Sequence, residues 1–146
     1  MRETSGIEAR LRATATVADT LAAGFDAFEI IRLLARDCEH RVPGLLAAFM
    51  TAADAAVDGR EAITAAPALP RPGRSGARAG VPGASPDVAQ IAGALAALGA
   101  LLRDCLSRAA TLAADPEDQA ACKDAAQAAG RICQLMARDD DDRCLR

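Results

Sequence analysis

The stretch at residues 86–138, PDVAQIAGALAALGALLRDCLSRAATLAADPEDQAACKDAAQAAGRICQLMAR, decides the fold. Within it Ile91, Leu95, Leu98, Leu102, Cys105, Ala109 and Leu112 recur at alternating spacings of four and three. An α-helix gathers such positions onto one stripe, and a stripe held over three heptads is a packing seam. Asp115-Pro116-Glu117 then restarts the helix. Its first residue offers a capping oxygen, proline suits the first helical position, and the acid meets the positive end of the dipole. The second helix carries Cys122, Ala125, Ala129, Ile132 and Met136 on one face. So short a turn makes the pair an antiparallel hairpin. Gly93 and Gly99 each cost about 1 kcal/mol against alanine, a cost tolerated where another backbone comes close.

Towards the N-terminus the same punctuation predicts three more helices. Ser5-Gly6-Ile7-Glu8 reads as a capping box opening a helix over 6–23, with Gly24 as its C-terminal cap. Asp26 to Glu29 resembles a second box, with Phe25 and Ile30 as a hydrophobic staple, for a helix over 27–41. Pro43 opens a third over 43–65, which Asp58-Gly59 could cut short. Prolines and glycines alternating with Arg71, Arg74 and Arg78 predict a flexible linker over 67–85, too poor in large apolar groups to offset the entropy of ordering. Four aspartates at 139–142 oppose the negative end of a helix dipole and predict a frayed acidic tail over 139–146. The fold expected is therefore all-α, a bundle of four to five helices. A three-helix segment at 1–66 packs on the hairpin at 86–138 as one domain, with the Pro/Gly/Arg linker between helices 3 and 4.

Composition bounds the function. About a quarter of the 146 residues are alanine, Trp and Tyr are absent, and the phenylalanines are Phe25, Phe28 and Phe49. Alanine buries little area, so a second subunit is expected to complete the core as a homodimer. Of the seventeen Lys and Arg residues only Lys123 is lysine, which fits GC-rich codon usage. A net charge of −3, with no basic patch and no exposed aromatics, argues against nucleic acid. The most apolar run, residues 88–102, falls short of the ~20 residues that span a bilayer. With no apolar leader after Met1-Arg2-Glu3-Thr4, the expectation is a cytoplasmic protein that does not enter membranes. The five cysteines are odd in number and widely spaced, which predicts reduced thiols.

No catalytic or metal constellation stands out. His40 is the only histidine, so metal sites needing several are excluded, and the expected cofactor is none. Cys38 and His40 are two apart, about 200° around a helix, and point away from each other. Cysteine-rich copper-storage bundles repeat Cys-x-x-x-Cys, whereas alanine stands four positions after both Cys105 and Cys122. Two readings follow. The first is a non-catalytic interaction or assembly protein that self-associates, or grips a partner helical protein, through Ile91, Leu95, Leu98, Leu101, Leu102 and Leu106. The second is a small-ligand-binding bundle or enzyme with a pocket between helices, lined by Phe28, Phe49, Met50, Cys38, His40 and Cys105.

Overall fold

A computed structural model describes residues 2–41, 43–70 and 87–144. Its elements are α1 (Arg2–Arg12), α2 (Val17–Glu39), a 3-10 turn at Pro43–Leu45, α3 (Leu46–Thr64), α4 (Val88–Leu112) and α5 (Pro116–Cys144). Among the described residues there is no strand, and the chain is an all-α bundle of five helices. The α4–α5 hairpin has the most extensive contact. α2 and α3 pair next, α3 lies against α5, and α1 bridges α2 and α4.

The hairpin forms as its sequence predicts. Asp115 Oδ1 accepts from Glu117 N–H at 2.8 Å, capping α5, and Gln119 Nε2 donates to the Ala113 carbonyl at 2.7 Å across the turn. Asp87 caps α4, its carboxylate accepting from Ala89 N–H. α5 continues through the acids at 139–142 instead of ending at residue 138. Unfavourable dipole terms of ~0.3–1 kcal/mol per charge do not outweigh propagation of an established helix.

The N-terminal punctuation falls elsewhere. The break between the first two helices lies at residues 13–16, not at Gly24. Ser5 sits inside α1, so the predicted capping box is no cap. Phe25 and Ile30 both lie within α2, so they form no staple at a helix entry. The cap of α2 is Thr16, whose hydroxyl accepts from Asp19 N–H, while the Thr14 hydroxyl bonds the Leu11 carbonyl at the end of α1. Gly24 serves packing rather than termination. A Cβ on it would lie 3.1 Å from Ile63 Cδ1 and 3.6 Å from a Leu102 methyl, so its bare backbone admits α3 and α4 together. Asp58-Gly59 does not interrupt α3.

Phe28, Phe49, Leu11, Ile31, Ile63 and Ile132 are fully buried, as are Leu95, Leu98, Leu102 and Leu106 of α4, whereas Leu112 at the end of the seam is 70% exposed. Most of the linker expected over 67–85 lies outside the described residues. Within 67–70, Ala68 and Leu69 are partly buried, however, while Pro67 and Pro70 are exposed. Ala68 N–H donates to the buried Asp118 carboxylate at 2.9 Å, and Leu69 rests on the core.

Candidate functional site: the α4–α5 trough

The proposed interface seam turns inward. Ile91, Leu95, Leu98, Leu102 and Leu106 are at most 1% exposed within the single chain, and only Leu101 is half-buried. The heptad spacing is real, but its partners are this chain's own helices. Of the apolar positions on α4, Leu101 and the terminal Leu112 keep exposed area. α4 is also the one described helix long and apolar enough by composition to cross a membrane, yet the seam residues that make it so lie in the core.

The proposed pocket residues divide. Phe28 is buried against α3, where a Cβ on Gly59 would lie 2.4 Å from Phe28 Cζ, so packing has consumed that space. Phe49 and Cys38 are buried, whereas Met50 is 47% exposed and His40 is the C-cap of α2, its backbone N–H reaching the Cys38 carbonyl. Cys105 serves a different contact. Its thiol donates to the Leu11 carbonyl at 3.7 Å and accepts from Arg108 Nη2 at 3.4 Å, beside a cleft of about 110 Å³ walled by Thr14, Thr16 and Arg108. Burial pushes the Cys38 thiol up to about 11, with Arg41 pulling the other way, and burial followed by the charge of Asp118 raises Cys122. Thiols held protonated at neutral pH are poor nucleophiles and poor metal ligands. Among the described residues no three His, Cys, Asp or Glu side chains converge as a metal site.

An open trough lies on the outer face of the hairpin. α4 and α5 approach so closely that a Cβ on Gly99 would lie 3.0 Å from both Ala129 O and Cys133 N. Beyond this contact the floor stays low, because Ala110, Ala126 and Gly130 have little or no side chain. Long polar side chains form the walls. α4 contributes Arg103, Ser107 and Thr111 at successive intervals of four. α5 contributes Gln119, Lys123, Gln127 and Arg131 at the same interval, with Gln134 beyond. That interval keeps each set on one face of its helix. The resulting open trough has a volume of about 990 Å³.

Its electrostatics are one-sided. Arg103, Lys123 and Arg131 line the trough, and no carboxylate does. Arg103 reaches Asp104 at 3.3 Å and Arg131 reaches Asp58 at 3.6 Å, all of them exposed. Exposed pairs of this kind contribute roughly 0–1 kcal/mol, so both arginines can be drawn off by a better-placed anion. Sequence reasoning did not single out these positions. The signal was present in the two polar rows stepping by four through alanine-rich helices, but a wet helix face reads the same way until its neighbour is known. No family model, no curated protein and no solved structure matches this chain.

Proposed function

We propose that this protein is a non-catalytic interaction module that docks a helical partner along the α4–α5 trough. The observation that supports the reading is the trough itself, a long polar-walled depression with a floor of small residues on a hairpin that buries Ile91, Leu95, Leu98, Leu102 and Leu106 against its own chain. Two helices in close contact leave a furrow between them that accepts a third by ridge-into-groove packing, and small floor residues let its backbone approach. The wall residues described on α5 span about 22 Å, enough for roughly four turns of a docked helix. Among the described residues no metal-type cluster forms and burial keeps the Cys38 and Cys122 thiols protonated, which favours docking over the enzyme reading. Free thiols at Cys38, Cys105, Cys122 and Cys133 suit a reducing, cytoplasmic setting.

Site-specific photo-crosslinking in the native cell tests docking. A photoreactive residue at Gln127 should give a discrete adduct, and the same residue at exposed Glu61 on α3 should not. Equal crosslinking from both positions, or none from Gln127, would reject the reading. An adduct of twice the chain mass of 15.0 kDa would identify the partner as a second copy.

A further inference from the structure

We propose that the partner segment is an acidic helix, whose carboxylates pair with Lys123, Arg131 and Arg103. This rests on the docking reading above and names the chemistry that fills the trough.

Three observations carry it. The first is the charge balance. The chain as a whole carries −3, yet every ionised side chain lining the trough is a base. An acidic segment would be repelled by most of this surface and attracted here, and such complementarity sets register and encounter rate. The second is spacing. Lys123 and Arg131 are eight residues apart on α5, about 12 Å along its axis, and Arg103 stands opposite, its Cδ within 3.6 Å of where a Cβ on Gly130 would be. Acids seven or eight apart on a docked helix would fall beside both α5 cations, and one between them would face Arg103. The third is the set of neutral groups. Glutamines 119, 127 and 134 with Ser107 and Thr111 alternate with the cations, so backbone and small polar groups between the acids also find partners. The walls contain no aromatic ring. Single-stranded nucleic acid, the other polyanion of suitable size, would lack a stacking platform there.

The test uses the full chain and a fluorescein-labelled 18-residue helical peptide of alanine with glutamate at every fourth position, read by anisotropy. A peptide with lysine in place of glutamate and an oligothymidylate of equal charge are the comparison probes. We expect the glutamate peptide to bind and the lysine peptide not to. The double variant Lys123→Glu/Arg131→Glu should weaken binding at least about tenfold, and 0.5 M salt should do likewise. Arg12→Glu, on exposed α1 far from the trough in sequence, should leave the affinity unchanged. The inference falls if the glutamate peptide fails to bind at 1 mM, if the lysine peptide or oligothymidylate binds as well or better, or if Arg12→Glu costs as much as the double variant. A Gln127 adduct in the cell combined with failure of the glutamate peptide would overturn the acidic partner alone. Loss of both would overturn docking as well.

Discussion

The α2–α3 pair and the α4–α5 pair are both antiparallel helix contacts in one small bundle, and they solve packing in opposite ways. Between α2 and α3 a glycine makes room for a side chain: Gly59 lies beneath the ring of Phe28. Between α4 and α5 a glycine makes room for a backbone: Gly99 sits against Ala129 O and Cys133 N. The charges differ in the same sense. Outside α2–α3, Glu29 takes a two-pronged bond from Arg32 and a third from Arg60, which also stacks 6.0 Å over Phe25. Both of these arginines bond one part-buried carboxylate. Outside α4–α5, Arg103 and Arg131 make only long, exposed pairs with Asp104 and Asp58, and no carboxylate lines the trough. One cluster is tightly bonded, and the other is loosely held.

The largest effect should come from disturbing the ring-on-glycine contact. Phe28→Ala removes a fully buried ring and should cost about 4 kcal/mol. Gly59→Ala places a methyl inside the ring's volume and should cost about 3 kcal/mol, although alanine is the better helix former. Because the strain belongs to the pair, the double variant Phe28→Ala/Gly59→Ala should be less damaged than the two single losses combined. Urea unfolding of the four proteins measures this cycle. Strict additivity would show that Gly59 is needed for some reason other than Phe28.

The backbone contact is the next largest. Gly99→Ala should cost about 2 kcal/mol by prising α4 from α5, since neither backbone neighbour can swing aside. Gly93, one and a half turns earlier, has nothing within 4 Å of a would-be Cβ. Gly93→Ala should therefore stabilise by up to about 1 kcal/mol. Opposite signs in thermal unfolding are the expected outcome. Equal signs would remove the distinction between a packing glycine and a merely tolerated one.

How much of this was legible in the sequence varies along the chain. The hairpin was, because Asp115-Pro116 and the four-three seam are local and point the same way. The first helix boundary was not. Ser5 and Gly24 carry the right chemistry for caps, but Thr14 and Thr16 carry it too, and burial of Leu11 and Leu21 on either side chose between them. Glycine is ambiguous in the same manner. Gly24 and Gly59 look like stops or weak points until the helix that approaches them is in view, and of Gly93 and Gly99, both read as places of close backbone approach, only Gly99 has one. The trough was hidden for a related reason, since two polar rows become one site only when α4 and α5 are set side by side.

Asp118 tests whether the hairpin also holds the chain end that leaves α3. Its buried carboxylate accepts from Ala68 N–H and keeps residues 66–70 on α5. Asp118→Ala leaves that donor without a partner and should cost about 1–2 kcal/mol. Hydrogen exchange at Ala68 should accelerate, while Ile132 on the buried face of α5 stays protected. Uniform loss of protection would mean that Asp118 supports the whole helix and not this one contact.

The smallest effect should come from the closed charge cluster on α2–α3. The hydrogen bonds from Arg32, aided by the charges of Arg32 and Arg60, hold the Glu29 carboxyl below its ordinary 4.5, although burial opposes them. A carboxyl lowered on folding stabilises the native state above its unfolded pKa, and that contribution is lost as pH falls through the lowered value. Glu29→Gln should thus cost about 1 kcal/mol at pH 7, modest because all three side chains are a quarter to a third exposed. As the pH falls below the lowered value, the variant and the parent should approach equal stability in urea. A gap that stayed constant as the pH fell would assign the effect to shape, and the contrast between a tightly bonded and a loosely paired set of cations would lose its electrostatic basis.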